Sequence, residues 1–211
     1  MQTLAKKNWK IVPQKTALVV VDMQRFALEK GSVSETRGAR ELVPRINELA
    51  DMCRRLEIPV IYLCQSNRAD LSDIGLLKDF KSISIENQLE HLEGKRGVEL
   101  YPGLNVAPDD YIVTKIRYSA FIPGSSNLEP LLRGLDRDRF IICGTAIEGS
   151  VFLTAADAMM LGFRVFCVGD LTGNTGHAKA FKYVMDRRIA KVTIFEEIKK
   201  ELEQLMAKRS V

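Results

Sequence analysis

Residues 139–161 read RFIICGTAIEGSVFLTAADAMML. RFIIC is a short apolar run of the kind that fills a buried strand. From Ser150 the apolar residues recur at helical spacing until Gly162, a residue suited to ending a helix. The stretch therefore predicts a strand over 139–143, a tight turn, and a helix over 150–161. A further strand, RVFCV at 164–168, follows at once. This strand–helix–strand order is the signature of a parallel βαβ unit.

The same alternation runs along the rest of the chain. Strands are expected at Ala17–Asp22 (ALVVVD), Pro59–Cys64, Tyr111–Thr114 and Val192–Ile194. Helices are expected at Ala39–Leu56, Gly176–Arg188 and Phe195–Lys208, with a weaker pattern near Asp73–Phe80. ALVVVD is apolar until its last residue, as a strand covered on both faces should be. Six parallel strands with helices on both sides give a Rossmann-like α/β fold, a three-layer α/β/α sandwich. Within it, ligands bind beyond the carboxyl ends of the strands, where the strand order reverses.

The 211 residues, 46% hydrophobic and 27% charged, fit one soluble domain over 1–211. They exclude a disordered or collagen-like chain. The apolar runs fall far short of the ~18 residues that a membrane-spanning helix needs. The start, MQTLAKKNWK, is not a secretory signal, so the expected location is cytoplasmic. A scattered net charge of +4 does not suggest nucleic-acid binding. The four cysteines lie in apolar patterns with no CxxC pair, and are read as buried free thiols in a reducing compartment.

The residues just past each strand are the candidates for chemistry. Asp22 is either an N-cap or a buried carboxylate in need of a partner. Lys115, in TKIRYSAF, either reaches solvent or pairs with Asp22. GTAIEGS has three readings. As a phosphate loop it lacks the lysine; it can also be a plain turn capped by Ser150, or place Ser150 as a nucleophile at a helix N-terminus. Only two histidines exist, His91 and His177. They are not at metal-ligand spacing, and a Ser-His-Asp triad is not expected. His91 is read as a surface residue.

Three stretches, VVVDMQRF, TKIRYSAF and IICGTAIEGSVFLTAADAMMLGFRV, resemble in order and spacing the isochorismatase-like cysteine hydrolases. That superfamily includes nicotinamidase, N-carbamoylsarcosine amidohydrolase, and the biuret and ureidoacrylate hydrolases. The resemblance implies the α/β/α sandwich and an Asp-Lys-Cys triad, matched here by Asp22 and Lys115. Gly144 and the TAADA run at 154–158 fall on the family pattern, so Ser150 occupies the cysteine position. The resemblance also implies a cis peptide at Thr145–Ala146, an oxyanion hole from the Ala146 and Ser150 amides, no cofactor, and a homodimer or homotetramer. The stretch CQSNRAD lacks the histidines of the metal-using members, so no metal is expected.

The implied activity is metal-independent hydrolysis of a C–N bond in a small amide, carbamoyl or ureido compound. An alcohol is a far weaker acid than a thiol. Ser150 therefore reads as an inactivating replacement of the cysteine, or as the serine of a slow hydrolase or a binding protein. Isochorismatases proper, which lack the cysteine and cleave a vinyl ether with the aspartate as acid, are a further alternative. Candidate substrate-binding residues are Phe26, Gln65, Asn67, Arg68, Tyr118, Phe121 and Asn174. Arg68 or Arg117 would hold a substrate carboxylate.

Overall fold

β1 (Thr16–Val21) is buried at every residue, because neighbours flank both its edges and helices cover both its faces. In the computed structural model, which describes residues 7–32, 34–79 and 90–209, β1 pairs in parallel with β2 (Val60–Gln65) and β4 (Arg139–Gly144). With β3 (Tyr111–Lys115), β5 (Arg164–Thr172) and β6 (Lys191–Thr193) the order is β3-β2-β1-β4-β5-β6. All five pairings are parallel. The order reverses between β1 and β4, and the tips of these two strands open the crevice such a sheet offers to a ligand.

Period-two alternation sorts the strand residues into two cores. Leu18, Val20, Tyr62, Ile141 and Phe166 face α2 (Val43–Arg55) and the C-terminal helix α6 (Phe195–Arg209). Ala17, Val19, Ile61, Phe140 and Val165 face α3 (Leu128–Gly134), α4 (Phe152–Met160) and α5 (Ala178–Arg188). Each fully buried aliphatic side chain contributes about 1.5–3 kcal/mol. The three layers are those the alternation of elements predicts.

Local structure departs from expectation in a few places. α3 and the four-residue α1 (Arg25–Leu28) are too short to show a helical period. α3 starts where the Ser126 hydroxyl accepts the Leu128 N–H at 3.1 Å. Ile147–Val151 forms a π-helical turn, so α4 begins at Phe152 and not at Ser150. The weak pattern near 73–80 is a 3-10 turn at Gly75–Asp79, and Phe80 lies outside the described residues.

All four thiols are free and buried. Burial pushes Cys53, Cys64 and Cys167 up to about 12 from 9.0, and raises Cys143 as well. A folded-state value above the unfolded one means stability that is complete below pH 9 and is lost as pH rises toward 12. At pH 10.5 each thiol accounts for about 2 kcal/mol of that loss. Urea unfolding of Cys167→Ala should therefore show a fall between pH 9 and 10.5 smaller than wild type by about 2 kcal/mol. An unchanged pH slope would contradict the buried-thiol account.

Candidate active site

Asp22 follows the last residue of β1 with φ at +48°, in the left-handed region that aspartate tolerates better than most residues. Its amide donates to Leu63 O at 2.8 Å, and its carbonyl accepts the Thr145 hydroxyl at 2.8 Å. Of the two readings of Asp22, the structure shows the partnered carboxylate. Lys115, at the end of β3 and fully buried, donates to Asp22 Oδ2 at 2.9 Å. The same ammonium donates to Gln65 Oε1 at 2.8 Å and Ser150 Oγ at 3.0 Å. Its three protons thus have three acceptors, the complement of a charged lysine. Burial pulls Lys115 below the usual lysine value, and the Asp22 carboxylate opposes that pull.

Gln65 is oriented from behind. Its amide N–H donates to Gln24 Oε1 at 2.7 Å, and Gln24 Nε2 donates back to Gln65 O at 2.9 Å. Gln65 Nε2 donates to Asn67 Oδ1 at 2.8 Å, which leaves Gln65 Oε1 for the lysine. Asn67 Nδ2 in turn donates to Ile116 O and Asp73 Oδ1, both at 3.2 Å. A chain of amides hydrogen-bonded one to the next holds its members in one arrangement.

The turn after β4 closes on β1. Gly144 has φ +107°, and a Cβ there would lie 2.2 Å from Val21 O. Gly144→Ala should cost on the order of 3 kcal/mol in urea unfolding, from overpacking and left-handed strain together. Wild-type stability in that variant would show that the turn can move. The Thr145–Ala146 peptide is cis, at the position the resemblance implies. Ala146 and Ser150 both border the cavity.

That cavity, about 540 Å³, lies over the β1, β2 and β4 tips, with Asp22, Gln65 and Ser150 in its wall. Phe26, Asn67 and Tyr118 line it, as expected of them. Burial, and secondarily Asp22, raises the Tyr118 phenol, which therefore stays neutral.

Three expected pocket residues are elsewhere. Phe121 packs in the second core, its ring 5.3 Å from Phe163 and 6.1 Å from Phe140. Arg68 is exposed and pairs with Asp70. Asn174 is not in the cavity wall, and its Oδ1 accepts the Gly176 amide at 3.1 Å. Arg117 donates to the carbonyls of Ile116 and Asp73, so it braces a turn and does not face the cavity.

His91, read as surface, instead lines the cavity with its ring 3.9 Å from Phe26. His177 is exposed. Glu35, Thr36 and Glu148 also line the cavity, and no spacing in the sequence marks the first two. Glu148 lies within GTAIEGS, between the turn glycine and Ser150. Among the described residues no group of three His, Cys, Asp or Glu is placed to hold a metal ion. No helix among them is long and apolar enough to cross a membrane.

Residues 16–197 match the isochorismatase domain model. The isochorismatase of Bacillus subtilis is 32% identical over 188 residues, 86% of this chain and 56% of that protein, so the chain spans about half its length. A "probable inactive nicotinamidase" of Arabidopsis thaliana is 30% identical over 74% of this chain and 80% of its own. A cysteine hydrolase of Pseudomonas syringae pv. phaseolicola superposes with a TM-score of 0.88 at 25% identity, covering 96% of this chain and 99% of its own. With its sheet order, its Asp22–Lys115 pair and this match over most of its length, the chain belongs to the isochorismatase domain family of hydrolases.

Proposed function

We propose that this cavity is the active site of a hydrolase that cleaves a C–N bond in a small amide, carbamoyl or ureido compound. The observation that carries the reading is the Lys115 ammonium, which holds Asp22, Gln65 and Ser150 together at the cavity wall. Asp22 Oδ1 is buried and has no hydrogen-bond partner, so it is the acceptor left open for a proton. Ser150 Oγ attacks the carbonyl carbon while its proton passes to Asp22. The Ala146 and Ser150 amides receive the oxyanion. Asp22 returns the proton to the leaving nitrogen as the C–N bond breaks, and water then hydrolyses the ester. Lys115 favours the negative charge on oxygen but, holding all three of its protons, is not a base. An alcohol is a far weaker acid than a thiol, so turnover through Ser150 is slow.

Vinyl ether hydrolysis is the second reading, favoured by the isochorismatase relative and by the open Asp22 oxygen. The cavity wall argues against it. Isochorismate is a dicarboxylate, and no lysine or arginine is among the described residues lining the cavity. A carboxylate brought into such a site loses its hydration with no cation to pair with.

The test incubates the protein at high concentration with amides, biuret, carbamoyl amines and isochorismate, following ammonia or amine release and isochorismate loss. Slow C–N cleavage that disappears in Asp22→Asn is expected. Isochorismate consumption without ammonia release would replace this reading with the second.

A further inference from the structure

Three carboxylates line the cavity, and their charges are not equally compensated. Asp22 is paired with Lys115. Glu35 is paired with Arg40 at 2.7 Å, and its other oxygen accepts the Gly31 amide. Glu148 has no ion-pair partner among the described residues. Its Oε1 accepts the amides of Thr175 at 2.9 Å and His177 at 3.0 Å, which ties the 174–177 turn to the π-helical turn. Its Oε2 is buried and without a hydrogen-bond partner.

A buried carboxylate oxygen left unpaired is costly, and the cost is recovered when a cationic donor arrives. A second residue of the same cavity wall also carries an orphan oxygen. Asp22, whose side chain is only 8% exposed, leaves Oδ1 unpartnered. The arginines expected to hold a substrate anion are engaged elsewhere, with Asp70 and with backbone carbonyls. The cavity's fixed charge is therefore negative, and its uncompensated part sits on Glu148.

We propose that Glu148 is a specificity-determining residue that binds a cationic nitrogen of the substrate, an ammonium or guanidinium group. Resting on the C–N hydrolase reading, this narrows the substrate class to positively charged ureido or amide compounds. Glu148 Oε2 takes the cation, and the scissile carbonyl then lies toward Ser150, two residues along the same turn. The 540 Å³ cavity accommodates both ends of a small molecule.

The test is calorimetric binding to the intact chain and to Glu148→Gln, which keeps an oxygen for the Thr175 and His177 amides but removes the charge. The probes are N-(2-aminoethyl)urea, N-(2-hydroxyethyl)urea and N-carbamoylglycine, which share a ureido head and differ in tail charge, and n-butylammonium, which has no scissile bond. Both cations should bind wild type, with the aminoethyl urea at least tenfold tighter than the hydroxyethyl compound and the carboxylate weakest. Glu148→Gln should remove that tenfold preference and leave the neutral urea within twofold. Absence of binding by both cations, equal binding of all three ureas, or a preference unchanged in Glu148→Gln would overturn the proposal. Binding, not turnover, is read. A cation preference in a protein that never releases ammonia would overturn the C–N chemistry and leave the charge recognition standing. Turnover without the preference would do the reverse.

Discussion

Lys115→Met is expected to abolish hydrolysis and to lower stability by about 3–5 kcal/mol, the range for breaking one side of a buried ion pair. Lys115 is fully buried, so its removal leaves the Asp22 carboxylate without its cation, and Gln65 Oε1 and Ser150 Oγ without their donor. Methionine restores most of the volume, so the loss reads electrostatics and hydrogen bonding, not a cavity. Asp22→Asn in the same background discriminates the cause. If the uncompensated carboxylate dominates, the double variant should recover at least half of the lost stability in urea unfolding, because the charge that lacked a partner is gone. Activity should not return, since both the proton acceptor and the cation are absent. A double variant as unstable as the sum of the single ones would mean that the pair is not the electrostatic unit the 2.9 Å contact indicates.

That pair also shows how far a sequence speaks for its site. Asp22 and Lys115 could be singled out because each interrupts or ends a β-branched run, and a parallel sheet brings strand tips together. The register does the rest: Lys115 lies opposite Gln65, and Val21 opposite both Leu63 and Gly144. The central strands were legible for the same reason, being apolar on both faces. The cavity walls were not. Phe121 and Phe26 are alike as residues, yet one packs between Phe140 and Phe163 while the other lies tilted against His91. Nothing in local periodicity separates them. His91 sits in the polar stretch QLEHLEGKRG, where composition suggests a solvated segment, but tertiary contact carries it into the cavity. The arginines failed as anion clamps for a related reason: a guanidinium takes the nearest carbonyls or carboxylates, and these come from the fold, not from spacing. Glu148 lies within GTAIEGS with nothing in the sequence to mark its role, and its unpartnered oxygen is apparent only in three dimensions.

Ser150→Cys should raise ammonia release from the best amide or ureido compound by on the order of 100-fold or more, with Ser150→Ala at or below the wild-type rate. An ordinary thiol ionises near ~8.5, within reach of neutral pH, whereas an alcohol does not. At position 150 the sulfur would replace an oxygen that accepts from the Lys115 ammonium at 3.0 Å, beside the first turn of α4. Both features favour a thiolate. The four native thiols provide an internal contrast. Burial raises all of them, Cys64 to about 12 even though the Lys115 charge acts to lower it, so they stay protonated and inert toward alkylation at neutral pH. Iodoacetamide should therefore modify the variant once, at residue 150, and leave wild type unmodified, which reads thiolate formation independently of any substrate. Lys115→Met added to the Ser150→Cys variant should slow that alkylation, because the ammonium that favours the anion is gone. Rapid alkylation with no gain in ammonia release from any panel member would mean that the Asp22–Lys115 pair activates a nucleophile but that the chain does not act on C–N bonds of this class. Slow alkylation would mean that the site does not activate a nucleophile at all, and the covalent route through residue 150 would fall with it.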